Sequence, residues 1–196
     1  MRKFSLMATC VVLTAVLAGN AMADDLRGRL AITGRLGVTN PANSEFDSGL
    51  GKLIVSTDAG FIGGGGILFG VDNNIAMEID VTHSTYDASQ FGTANITTLS
   101  VGAQYRLPER QRVIPYVGAG IDALINDLPN NNVDTVLGLH VTGGIDFMLS
   151  RQLALTTELK GVEAFSTTVK NYTGARIGEF DPSNIAFTVG MRLFLN

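Results

Sequence analysis

The chain has 196 residues, a formal net charge of −4 at pH 7, one cysteine and no tryptophan. This length fits one domain, and a single cysteine excludes a scaffold held together by disulfides. The acidic balance argues against a nucleic-acid partner and gives no sign of a basic patch for a membrane surface.

Residues 1–23 have the pattern of a secretory signal peptide. A basic start precedes an apolar run from Leu6 to Leu17 and a small-x-small motif that ends at Ala23. The run is shorter than the roughly 20 residues that an anchor helix needs, and its length is typical of a removed leader. We therefore predict cleavage after Ala23 and an exported mature domain over residues 24–196 that contains no cysteine.

From Arg29 onward, apolar and polar residues alternate with a period of two. In the first such segment Leu30 and Leu36 fall on one face, while Thr33 and Arg35 fall on the other. Because successive side chains of a strand point to opposite faces, this alternation predicts two-faced strands, and convincing helical periodicity is missing from the sequence. Eight segments carry the pattern, near residues 27–40, 59–71, 75–86, 95–107, 113–126, 136–149, 153–163 and 184–195.

The connections between these segments alternate in length. Three are tight turns, at residues 72–74, 108–112 and 150–152. Four are longer polar segments, at residues 41–58, 87–94, 127–135 and 164–183. Since alternate connections of a meander emerge at the same end, one end carries the turns and the other the loops. This all-β plan is that of an eight-stranded antiparallel up-and-down transmembrane β-barrel of the outer membrane, whose strands cross the bilayer with about 9–11 residues.

Periodicity alone does not separate this barrel from a soluble, lipocalin-like one, in which the apolar face points inward. The polar face is rich in small residues, which bring no advantage on a soluble surface but make room for long side chains in a narrow lumen. The inverted, membrane-spanning arrangement is therefore favoured. Nine charged residues lie near the middle of strands on this face: Arg35, Glu78, Asp80, Arg106, Asp122, Asp146, Glu158, Lys160 and Arg192.

These nine lumen charges could select a solute, line a proton path or pair with one another. Eight strands enclose an interior just wide enough for side chains to fill it, so charges of both signs are expected to form salt bridges across it. The sequence thus predicts a structural or gating charge network and a plugged lumen instead of a water-filled pore.

The segment Gly60–Gly70 contains four consecutive glycines, which raises the possibility of a phosphate-binding loop. Such a loop lies before a helix N-terminus, often with a following lysine, whereas an apolar run follows here. Strand alternation instead directs Gly64 and Gly66 into the lumen. We expect them to make space there for side chains of flanking strands, such as Arg35 or Glu78.

His83 and Thr85 share the lipid-facing side of their strand near the outer rim. Outer-membrane lipid deacylases carry a loosely similar His and Ser two residues apart, with a carboxylate behind them. Here Thr85 replaces that Ser, Ser84 points the other way, and no carboxylate partner can be assigned. A polar rim is the favoured interpretation, and the sequence predicts no catalytic residue, cofactor or metal site.

The segment Ile114–Ile121 reads IPYVGAGI and follows a tight turn. It resembles the PYVGAG segment of the OmpW family of small outer-membrane proteins, and Asn74–Glu78, Gly144–Arg151 and the closing strand fall in matching places. The resemblance covers most of the mature chain. It implies an eight-stranded barrel in the outer membrane of a Gram-negative bacterium and, for some members, a narrow apolar passage for small hydrophobic molecules.

The chain departs from that family's pattern in two respects. It ends Phe194-Leu195-Asn196, whereas such proteins usually end in an aromatic residue that the assembly machinery reads. It also lacks tryptophan for the girdles at the membrane interfaces. Five aromatic residues could form part of such girdles: Phe69, Tyr86, Tyr105, Phe147 and Phe187.

Three functions remain at this stage. The leading one is passive handling of small apolar solutes, which enter at the loop end and leave sideways because charges block a through route. The second is a structural or adhesive barrel that displays loops 41–58 and 164–183, and the third is a lipid-modifying enzyme that uses His83. We expect a non-enzymatic monomer whose partners are outer-membrane lipid, the barrel-assembly machinery and small hydrophobic solutes.

Overall fold

The computed structural model describes residues 26–42, 44–47, 52–55, 59–88, 92–107, 112–127, 132–133, 135–165, 167–170, 176–180 and 182–195. The predicted signal peptide and its cleavage site lie outside these residues. Eight long strands, numbered β1 to β8 in chain order, span Leu30–Pro41, Gly60–Gly70, Ile75–Ala88, Gly92–Arg106, Val113–Asp127, Val136–Met148, Leu153–Ala164 and Asn184–Leu195. Within the described part of the chain, no helix is long and apolar enough to span a membrane.

The eight strands form one closed antiparallel barrel in which each strand pairs with its sequence neighbours. The last strand closes on the first, with Leu30 opposite Leu195 and Pro41 opposite Asn184. Closure satisfies the backbone groups that an open sheet would leave at its edges. The predicted all-β, eight-stranded up-and-down barrel is therefore confirmed, and each predicted segment agrees with its strand to within about three residues at either end.

Short turns lie at one end of the barrel, and three long connections lie at the other, as the sequence predicts for those three. These three long connections contain further strands. Ser44–Asp47 pairs with Lys52–Val55, and Thr167–Lys170 lies between Arg176–Phe180 and Asn132–Val133 in a small sheet.

The prediction of a polar loop at residues 87–94 is wrong in part. β3 and β4 continue through most of it, with Asp87 opposite Thr93 and Ala88 opposite Gly92, so residues 89–91 alone separate the strands. The inter-strand hydrogen bonds use only backbone groups. A polar side chain therefore has no desolvation cost where a strand extends beyond the lipid. Polarity therefore marks the end of the apolar belt and not the end of the strand.

The apolar face of each strand points outward. On β1, Leu36 is 60% exposed, whereas Thr33 and Arg35 on the opposite face are buried. This is the arrangement of a membrane barrel and the reverse of a lipocalin. Of the five proposed girdle aromatics, four are exposed and Tyr86 is not: it is 3% exposed, because it shares the inward face of β3 with Asp80 and Ser84.

The barrel interior contains two apolar layers with polar residues between them. The layer near the turns consists of Leu26, Ala31, Leu68, Ala76, Met148, Ala154 and Phe194. The layer toward the loop end consists of Tyr86, Ile96, Leu124, Val136, Val162 and Ala164. The charged side chains predicted to face the lumen fall between the two layers.

Candidate functional site in the barrel lumen

Arg35 lies at the centre of the charged layer. Its guanidinium contacts carboxylates from two other strands, Glu78 at 2.7 Å and Asp80 at 3.3 Å from β3, and Glu158 from β7. Glu158 also accepts a hydrogen bond of 2.8 Å from the Tyr116 hydroxyl on β5. These contacts join four strands across the lumen.

Arg192 on β8 forms a second junction nearer the turns. Its Nη1 lies 2.7 Å from Asp146 Oδ2 and its Nη2 lies 3.1 Å from Glu78 Oε1, while its Nε donates to Thr33 Oγ1 at 2.9 Å. Asp146 also pairs with Arg106. Arg192 and Asp146 are fully buried, so these charges depend on one another for solvation.

A third group lies on the loop side of this layer. Asp122 Oδ1 is 3.1 Å from the Lys160 ammonium and 2.8 Å from Nδ1 of His140. Lys160 also donates a 2.7 Å hydrogen bond to Ser100 Oγ. The group therefore connects β4, β5, β6 and β7.

All nine charged residues singled out in the sequence face the lumen, and each forms an ion pair with at least one of the others. Sequence reasoning missed other members of the network, among them Gln104, Tyr116 and His140. Gln104 donates to Glu78, and the other two bond to Glu158 and Asp122. Strand alternation could have found all three, since each lies an even number of residues from a lumen charge on its own strand.

A small polar cavity remains between the Arg35 and Asp122 groups, lined among others by Asp80, Ser100 and His140. Its volume of about 20 Å³ leaves room for one or two water molecules. Asp80 Oδ1 forms an ion pair with Arg35 but no hydrogen bond, and Arg35 Nε has no hydrogen-bond partner among the described residues, so ordered water is expected to complete their hydrogen bonding.

The glycine tract forms the middle of β2, and Gly64 and Gly66 face the lumen. Gly64 lies between Arg35 on β1 and Thr82 on β3, and a Cβ there would first meet the backbone of Val81 and Thr82. That Gly64 leaves space for the Arg35 side chain stays a prediction. The expectation for Glu78 is wrong: this residue pairs with Leu68, and Asp80 is the acidic neighbour of Gly66.

His83 and Ser84 point to opposite sides of the barrel wall. His83 is exposed on the lipid side, and its Nδ1 is 3.0 Å from Thr97 Oγ1. Ser84 is buried in the lumen and donates to the Ile96 carbonyl oxygen. Hence these residues do not form a nucleophile–base pair. Among the described residues, no cluster of His, Cys, Asp and Glu could hold a metal ion.

The profile of the outer membrane protein β-barrel domain family matches residues 8–192. The chain belongs to this family, and it is a β-barrel protein of the Gram-negative outer membrane. No curated protein sequence matches it. The outer membrane protein OprG from Pseudomonas aeruginosa has a similar structure, with a TM-score of 0.70 and 12% identity over 90% of this chain and 100% of that one.

Two further solved structures are similar. The outer membrane protein AlkL has a TM-score of 0.60 and 16% identity over 91% of this chain and 95% of that one. Neisserial surface protein A has a TM-score of 0.60 and 14% identity over 85% and 99%. At these identities the likeness concerns the fold, which is consistent with the OmpW-like resemblance of the sequence.

We expect the purified barrel to show no stable conductance in planar lipid bilayers. The ion pairs span the lumen, and ions would have to displace buried charges that hold one another in place. Single-channel recording at neutral pH tests this expectation. Large, steady currents would show that the network does not close the lumen.

Proposed function

We propose that the protein passively takes up small apolar solutes at its loop end and releases them sideways into the bilayer. The observation that carries this proposal is the apolar layer that lines the loop-end half of the lumen, where Tyr86, Ile96 and Leu124 are buried against one another. Water-filled barrels have polar interiors, whereas an apolar lining favours solutes that gain free energy on leaving water.

The charged layer beneath supports a sideways route. An apolar solute would have to separate the pairs of Arg35 and Arg192 to continue along the barrel axis. Breaking a buried ion pair costs several kcal/mol, and the solute offers no polar group to replace the lost partner. The exit route with the lowest energy barrier therefore runs from the apolar layer through the barrel wall.

The wall offers a place for this exit between β2 and β3. Their pairing ends at Phe61 and Thr85, whereas β3 continues with β4 to Ala88. The Tyr86 ring covers this point from inside, since a Cβ at Gly60 would lie 2.6 Å from its Cδ1. A rotation of Tyr86 would connect the apolar layer with the lipid.

The double variant Val136→Thr/Val162→Thr tests the proposal. It adds two hydroxyls to the apolar layer at nearly constant volume, and burying them should lower uptake of a hydrophobic fluorescent probe by about tenfold. Cells that produce wild type, this variant or Val189→Thr, an outward-facing control, are compared at equal amounts of folded protein. Equal uptake by all three and by cells without the protein would refute the transport role.

The second candidate is a structural or adhesive barrel. It is favoured by the ordered strands of the loop end, Ser44–Asp47 with Lys52–Val55 and the small sheet around Thr167–Lys170. Unchanged solute uptake combined with reduced cell attachment after loss of the protein would support this role. In either case we propose a non-enzymatic protein, for which His83→Ala leaves the membrane lipid composition unchanged.

A further inference from the structure

We propose that β3 and β4 bind the hydroxylated acyl chains of an outer-leaflet glycolipid on the membrane-facing surface of the barrel. The site is a patch of four outward-facing polar residues, His83, Thr85, Asn95 and Thr97, here named the rim patch. His83 lies opposite Thr97, and Thr85 lies opposite Asn95. The two pairs are bridged by hydrogen bonds of 3.0 Å and 3.1 Å.

The rim patch is bordered by the apolar belt. Phe61 on β2 lies opposite Thr85, Ile125 on β5 lies opposite Thr97, and both are more than half exposed on the lipid side. At the loop-end corner of the patch, Asp127 on β5 lies opposite Asn95. Val81 and Leu99 continue the belt on the turn side of the patch. Apart from this corner, the patch has apolar, lipid-facing neighbours on three sides and therefore lies against the upper acyl region of the leaflet.

The hydrogen bonds within the patch use only some of its hydrogen-bond donors and acceptors. They occupy Nδ1 of His83 and Oδ1 of Asn95. Nε2 of His83 and Nδ2 of Asn95 have no hydrogen-bond partner among the described residues. An unpaired polar group against hydrocarbon costs several kcal/mol, so a lipid that supplies partners at this depth is bound preferentially.

The surface below the patch suits an acyl chain. Gly65 lies opposite Val81 on one side and Gly34 on the other, and neither glycine presents a side chain to the lipid. A Cβ at Gly34 would meet no atom within 4 Å, which leaves open space beside β1. A chain whose polar attachment point rests at His83 could extend along this smooth part of the wall.

The chemistry of the patch selects among lipids. It contains no Lys or Arg, so a phosphate group is a poor match. Its free groups are an amide donor and an imidazole nitrogen, which complement a ligand that both donates and accepts hydrogen bonds. Amide-linked and hydroxylated acyl chains of outer-leaflet glycolipids do both, whereas the esters of phospholipids only accept.

The test uses the full barrel reconstituted in phospholipid vesicles with or without a lipid A-type glycolipid that carries hydroxyacyl chains. The glycolipid should raise the temperature at which the compact, fast-migrating form is lost for wild type, and native mass spectrometry should detect it on the protein. The variant His83→Leu/Asn95→Leu should lose this shift and retain about tenfold less glycolipid, since it lacks two hydrogen bonds.

Two controls keep the outcome decisive. Thr157→Val removes a membrane-facing hydroxyl on β7, away from the patch, and should bind like wild type. His83→Gln keeps a donor and an acceptor and should retain the glycolipid, which distinguishes lost binding from misfolding. Two results would overturn the proposal. One is that the glycolipid raises the temperature at which the fast-migrating form is lost equally in the double variant and in wild type. The other is that a glycolipid without hydroxyls raises this temperature as much as the hydroxylated one.

Discussion

Gly64→Leu is expected to prevent the barrel from reaching its compact form. A Cβ at this position would approach the Val81 carbonyl oxygen closer than any van der Waals contact and would lie 2.7 Å from Thr82 Cα. Both atoms belong to the backbone of β3, which cannot move away without breaking the ladder that closes the barrel. We expect the folded, fast-migrating band of unheated samples to disappear on electrophoresis.

Gly34→Leu is the matched control for this change. Gly34 is also a strand glycine, one residue before the Arg35 that lies opposite Gly64, but it faces the lipid. A Cβ there meets nothing within 4 Å, so leucine should be tolerated and the fast-migrating band should persist. Normal folding of Gly64→Leu, or equal failure of both variants, would contradict a specific close approach at Gly64.

Strand alternation was sufficient to predict most of the fold. Once Arg35 and Leu36 are assigned to opposite faces, the side of every residue on β1 follows, and the same holds on the other strands. Lumen residues such as Asp146 and Arg192, 46 positions apart in sequence, could therefore be assigned to one interior without any knowledge of their contact.

Alternation did not predict which lumen residues meet. It gives the face of a residue but not its height, because height depends on the stagger between neighbouring strands. Hence Glu78 was expected beside Gly64 and Gly66, whereas the register places it opposite Leu68 and brings Asp80 to Gly66. Tyr86 shows the converse error, since an aromatic side chain was assigned to the girdle against the alternation of its own strand.

The members of the network that carry no fixed charge were missed for a related reason. Charged residues on a mid-strand lumen face stand out because burial without a partner is costly, whereas His140, Gln104 and Tyr116 are compatible with many environments. Their role depends on a carboxylate from another strand, such as Asp122 for His140. Only the three-dimensional register reveals that contact.

Arg192→Met is expected to destabilise the barrel by about 3–5 kcal/mol, the usual effect of removing one partner from a buried ion pair. Methionine preserves much of the side-chain volume but leaves Asp146 with Arg106 alone and Glu78 with Arg35 and Gln104. Urea unfolding of the protein in lipid vesicles measures the change. Arg151→Met, at an exposed turn, should alter the free energy of unfolding by less than about 0.5 kcal/mol.

A second substitution distinguishes the loss of charge balance from the loss of packing. If uncompensated negative charge causes the instability, Glu78→Gln should restore part of the lost free energy when combined with Arg192→Met. Arg35 keeps Glu158 and Asp80 in that double variant, so no new cation is left unpaired. A packing defect would instead make the two substitutions additive or worse, since neither restores volume at position 192. A double variant no more stable than Arg192→Met would therefore show that Arg192 acts mainly by filling space, and the charge network would lose its assigned role in holding the lumen together.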